Sequence, residues 1–296
     1  MPVVAARTVG ASVVDAGVER LRRQLQAEIR RSMGMNGAPR PAHHDPADSY
    51  FPPGSMTRRV HADLPAMMIG GVAALLFQML HPLAMIAVAE HSNYRKDPHG
   101  RLMRTADFLA VTTFGSRADA EAAIANVKQV HGRVVGVALD GRRYAADDPA
   151  LLCWVHACEV HSFLAATQVY GARPLTRDEQ DRYLEETARV ALDLGAHQVP
   201  RSMAALHGYF EAVRPELHLT REARTARNFV LRGVSCRPDQ LTVHLLLAAA
   251  AQGVLPRWAR RQLRLASLPA ADRLAVQPPA RALSAAVRWV VSPPHH

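Results

Sequence analysis

The chain has 296 residues, of which 49% are hydrophobic and only 5% aromatic. That length allows one large domain or two small ones, and the scarcity of aromatics leaves the core to Ala, Leu and Val, which favours closely packed helices. The formal net charge is +10 and the pI about 10.3. A nucleic-acid binder can have this balance, but arginine is spread along most helical segments and no helix-turn-helix, RNP or zinc-finger pattern occurs. A solvated basic surface is therefore preferred; nucleic acid is not an expected partner, and peripheral contact with an anionic membrane stays open. Cys153, Cys158 and Cys236 have neither metal-ligand spacing nor a disulfide framework. They read as small buried residues in a reducing compartment, so a cytoplasmic location is expected.

In chain order, residues 1–12 carry no convincing cleavable signal. Residues 13–33 have a helical period, with Val14, Val18, Leu21 and Leu25 on one side and Arg22, Arg23, Arg30 and Arg31 elsewhere. This reads as an amphipathic helix docked on the body, with a membrane-surface helix as the alternative. Residues 34–57, rich in Pro and Gly, form a loop or linker. His43 and His44 are given no role.

From Leu64 to Ala89 there is no Lys, Arg, Asp or Glu. His81-Pro82 breaks this stretch, which predicts two buried core helices with a bend rather than one membrane span. Asp97 caps a helix that starts at Pro98 and closes at Gly115; Ser116, with Asp119 three residues on, opens the next. On the first, Arg101, Arg104, Thr105, Phe108 and Thr112 fall within an arc of about 100°. On the second, Ala120, Ile124, Val127, His131, Val134 and Val135 share a face. Such a pair could hold a haem: a neutral His as axial ligand, Arg for propionates or oxygen, and apolar walls. A His on an apolar face is also commonly a core residue bonded to a carbonyl, and Thr105 could equally bond back to its own helix.

Asp140-Gly141 marks a tight turn, and Asp148-Pro149 starts a helix that ends at Gly171. Leu152, His156, Glu159 and Phe163 share one of its faces; His161 lies on another and reads as structural. Thr176 to Glu179 is a full capping box, with Gly195 as terminator. A helix is expected from Arg201 to Val213, another from Thr220 to Gly233, and a nearly uncharged one from Gln240 to Gln252. Residues 257–264 read as a solvated, Arg-rich face. No strand alternation persists, and no dinucleotide, P-loop, zincin or α/β-hydrolase motif occurs.

The series His81-Pro82, Ala89-Glu90-His91-Ser92, Arg101-Leu102-Met103-Arg104-Thr105, Phe114-Gly115, Val130-His131, Tyr144 and Trp154-Val155-His156-Ala157 resembles the DUF2236 family. These are MpaB-like oxygenases whose haem domain is shared with the rubber-cleaving latex clearing proteins. The resemblance covers roughly residues 58–290, preceded by an N-terminal helix and linker over 1–57 and followed by a tail at 291–296. It implies an all-α domain of about ten helices that binds haem b, with its iron, through His131. Arg101 and Thr105 match polar residues on the distal side. Arg104 stands where latex clearing proteins carry a Lys, and Arg is a poor ligand because it stays protonated. Glu90 is the nearest candidate for the family's distal glutamate. His156 is a second pocket or alternative-ligand candidate, and His81 adjoins the pocket. The implied activity is oxidation of an apolar, lipid-like or alkene-containing small molecule with O₂. A haem sensor, carrier or peroxidase-like protein on the same fold is an alternative, as is a haem-free basic helical protein that binds nucleic acid or membrane.

Overall fold

A computed structural model describes residues 19–20, 22–24, 26–27, 44–92, 94–233, 238–266 and 269–291. The described chain is predominantly α-helical. The principal helices are α1 (Met56–His61), α2 (Leu64–Gln78), α3 (Pro82–His91), α4 (Pro98–Phe114) and α5 (Arg117–His131). A small antiparallel hairpin follows, β1 (Val135–Val137) and β2 (Arg143–Ala145). The second half holds α6 (Pro149–Tyr170), α7 (Arg177–Leu194), α8 (Met203–Val213), α9 (Arg221–Arg232), α10 (Leu241–Val254), α11 (Arg257–Gln262) and α12 (Gln277–Val291).

The core is built on α2 against α6. Small residues make the approach close. A Cβ on Gly70 would lie 2.8 Å from the Phe163 ring and 3.0 Å from the Ser162 carbonyl oxygen, so only glycine fits there. Ile69, Leu76, Phe77, Trp154, Phe163 and Leu164 fill the interface with buried apolar surface. Asp63 ties three elements together. It accepts from Ala66 N at the start of α2, from Ala172 N just past α6, and from Arg288 on α12 at 2.8 Å.

The uncharged stretch is two helices bent by 105°. Pro82 opens α3, where its missing N–H removes no helical bond. The carbonyls freed at the bend find partners: Trp154 Nε1 donates to Gln78 O at 3.1 Å, and His218 N donates to Leu80 O at 2.9 Å. One helix, α6, is long and apolar enough to cross a membrane, and 67% of that window is buried inside the fold.

Three expectations need correction. The segment after His131 is not helical: α5 ends at His131, and Val135 enters a strand paired with Ala145, so Val134 and Val135 do not continue its face. A three-residue strand is too short to show alternation in sequence. Helix α8 begins at Met203, because Ser202 rather than Pro200 supplies the cap to Ala205 N. Residues 257–264 are not simply a solvated face, since Arg260 is buried and bonded to Asp272 at 2.6 Å. At the N-terminus, the described residues between 19 and 27 are helical, and Arg22 is buried, donating to Val290 O and lying over the Trp289 ring. That agrees with docking. Val14, Val18, Leu21, Leu25, Arg30, Arg31, His43 and Cys236 lie outside the described residues.

Candidate functional site

The caps expected around the central pair are present. Asp97 accepts from Gly100 N at 2.8 Å and Ser116 accepts from Asp119 N at 3.1 Å, fixing the starts of α4 and α5. The two-residue link at Gly115-Ser116 folds α5 back along α4. The first two turns of α4, with Arg101 and Thr105, therefore lie beside the last two turns of α5, with Val127 and His131.

This helical pair comes near α6 at its two ends. At one end Phe163 of α6 meets the ring of His61, which is hydrogen-bonded to Thr113 Oγ1 of α4 at 2.7 Å and to the Tyr183 hydroxyl at 2.9 Å. At the other end His131 lies within electrostatic reach of Asp147, next to the start of α6. Between these anchors neither α4 nor α5 packs along α6. The α6 residues on the same face as Phe163, one and two turns back, are Glu159 and His156. Both are walled by protein yet keep part of their surface open, unlike Leu152 and Phe163 at the ends of that face, which are buried. His156 and Glu159 thus form a partly open stretch in the middle of this α6 face, with the His61–Thr113 contact at one end.

The electrostatics of these groups follow from burial. Loss of hydration pulls His131 below its ordinary value of 6.5, against an opposing pull from Asp147, and its ring makes no hydrogen bond to any described residue. His156 is lowered to about 4 by burial alone, and its Nε2 is a buried nitrogen with no partner. Both imidazoles are therefore neutral near pH 7, the form in which a ring nitrogen has a free lone pair. Burial raises the Glu159 carboxyl to about 7. Glu159 also pushes up the Tyr183 hydroxyl, so it stands close to the His61–Tyr183 pair.

The other expected residues are placed less uniformly. Arg101 is half-buried and donates to Ser92 Oγ just after α3; burial and neighbouring Arg104 lower its pKa, but a guanidinium stays protonated. Arg104 is exposed and pairs with Asp97 at 3.4 Å. Thr105 is exposed, and its Oγ1 donates to Arg101 O at 3.2 Å, so this hydroxyl bonds back to its own helix. Glu90 accepts from the Tyr144 hydroxyl, which is also bonded to His91 at 3.0 Å; this trio ties α3 to the hairpin next to His131. His81 is buried at the α2–α3 bend beside Trp154, lowered to about 4 chiefly by burial, with Nδ1 unpartnered. It also lies within electrostatic reach of Asp148, which caps α6.

Glu159, His61 and Tyr183 were not singled out from sequence as site residues. Glu159 did carry a signal: a carboxylate on an otherwise apolar helix face, between His156 and Phe163. His61 and Tyr183 carried none, because their pairing spans the chain. The described residues form no cluster of three His, Cys, Asp or Glu side chains that could cage a bare metal ion. A cleft of about 180 Å³ beside His161, lined by Phe210, Arg214 and Trp258, lies on the opposite side of α6 and is smaller than usual ligand pockets.

Comparison with curated proteins and with solved structures returns no match. The family described as ER-bound oxygenase mpaB/B'/Rubber oxygenase, catalytic domain, matches residues 58–289. That span runs from within α1 to within α12 and contains His61, Arg101, His131, His156 and Glu159. The chain belongs to this oxygenase family.

Proposed function

We propose that the protein is a haem b-dependent oxygenase that uses O₂ to oxidise an apolar, lipid-like or alkene-containing small molecule. The observation that carries the reading is a pair of neutral imidazoles, His131 and His156, with no hydrogen-bond partner among the described residues, together with a half-buried Arg101, in a chain of an oxygenase family. The residues present fit the group. His131 would hold the iron, with His156 as the alternative ligand.

When bound, the haem supplies an iron centre able to activate O₂. The chain's own contributions can be derived separately. Desolvation keeps the ligand imidazole neutral, so no proton competes for its nitrogen. Arg101, held by Ser92, presents fixed positive charge to negative charge that develops on oxygen. Glu159, near half-protonated at neutral pH, can hold or release a proton.

Two readings on one preparation test this: a visible spectrum, and oxygen uptake with apolar alkenes. A Soret band with substrate-dependent uptake is the expected result. Haem without uptake would assign a sensor or carrier instead, and a protein that takes up no haem would end the proposal.

A further inference from the structure

The β1–β2 hairpin is built inside out. Its register pairs Val135 with Ala145, Gly136 with Tyr144 and Val137 with Arg143. Directly paired residues share a face, so Gly136 and Tyr144 form one side while Val135, Val137, Ala145 and Arg143 form the other. Tyr144 is buried and bonded to Glu90 and His91, which fixes that side inward. A hairpin with one covered face ordinarily turns its valines toward the core. Here Val135 is 56% and Val137 58% exposed, and Leu139, at the tip, is 96% exposed.

The charges around this face are arranged to match. Arg133 and Arg143 are exposed and form no ion pair with a described residue. Asp140 is already matched by Arg142 at 2.7 Å. Of the acids that follow β2, Asp148 caps α6 through Ala150 N, and Asp147 acts on His131. The outward face therefore shows three apolar side chains flanked by two guanidiniums that have no ion pair among the described residues.

We propose that this face docks on an anionic phospholipid bilayer, with Leu139, Val135 and Val137 entering the headgroup–acyl boundary and Arg133 and Arg143 on lipid phosphates. Apolar insertion combined with arginine–phosphate contact is the chemistry of peripheral membrane binding. A second copy of the chain fits less well. The apolar area is on the order of a few hundred Å², below the roughly 800 Å² per partner of a stable dimer. Nucleic acid would use the arginines and leave the apolar tip without a role. The inference is independent of the oxygenase reading.

The test is co-sedimentation of the full-length protein with phosphatidylcholine vesicles, with and without phosphatidylserine. Binding to the anionic vesicles, weakening as salt is added, is expected. Arg133→Gln and Arg143→Gln should each lower it about fivefold. Leu139→Ser with Val137→Ser should lower it at least about tenfold. All four side chains are solvent-exposed, so the far-UV spectrum and melting temperature should not change. Arg177→Gln with Arg224→Gln, two exposed arginines elsewhere, controls for the overall charge of +10. The proposal is overturned if wild type ignores anionic vesicles, if the hairpin variants bind as wild type does, or if the control pair loses as much. Self-association abolished by Leu139→Ser without vesicles would assign the face to a second copy. Hairpin-dependent binding to duplex DNA, without vesicle binding, would assign it to nucleic acid.

Discussion

Glu159→Gln should change how the stability of this protein depends on pH. The carboxyl is pushed from 4.5 to about 7 by burial alone, with no cation among the causes. Between those values the folded state binds a proton that the unfolded chain has already released. Folding stability therefore falls as pH rises through this window, and the loss is complete above the folded value. At 1.36 kcal/mol per pK unit, this shift corresponds to about 3 kcal/mol. Glutamine keeps the shape of the neutral acid and has no proton to lose. The stability difference, variant minus wild type, should be small at pH 4 to 5 and grow to about 3 kcal/mol by pH 8. Urea denaturation at half-unit pH steps measures it, and the subtraction cancels every other titrating group. Parallel curves for the two proteins would refute the assignment of a buried, unpaired carboxylate at this position.

Three other perturbations follow from named contacts. Gly70→Ala would drive a methyl into Phe163 and the Ser162 carbonyl, and should cost about 1–3 kcal/mol by thermal melting. Burial holds His61 at about 3 and His161 at about 4, below the unfolded value of 6.5, so stability is present above pH 6.5 and lost as pH falls toward 4. The shifts correspond to about 5 kcal/mol for His61 and about 3 kcal/mol for His161, and acid unfolding followed by circular dichroism should begin within that window. Arg101→Ala should retain haem but lower substrate-dependent oxygen uptake on the order of a hundredfold. Thr105→Ala should have a much smaller effect, since its hydroxyl already serves the Arg101 carbonyl.

Local signals carried most of the secondary structure. Asp97, Ser116, Asp148, Thr176 and Thr220 each cap the helix expected of them, and Thr176 with Glu179 forms the reciprocal box. Gly195 ends α7 in the left-handed region, at φ +110°, where residues with a Cβ are strained. These cues work because cap and orphan N–H lie within three residues of each other. The hairpin was missed for the opposite reason: its inward face is Gly136 and Tyr144, so no apolar period marks it. The relation of α4 and α5 to α6 was not legible either. It depends on Thr113, His61, Tyr183 and Phe163 meeting from four different helices, and periodicity within one helix contains no such information. Periodicity did identify the faces that carry His131 and His156. The role of each as a ligand came from family resemblance.

The central claim is that His131 holds haem. The most direct measurement compares the visible spectrum and pyridine-haemochrome content of wild type, His131→Ala and His156→Ala, expressed and purified in parallel with circular dichroism as the folding control. Wild type should show a Soret band near 400–415 nm, the order expected of His-ligated haem. His131→Ala should stay helical and lose most of the haem, while His156→Ala should keep most of it. Full haem with an unshifted Soret band in His131→Ala would contradict the account, and loss confined to His156→Ala would move the ligand to α6.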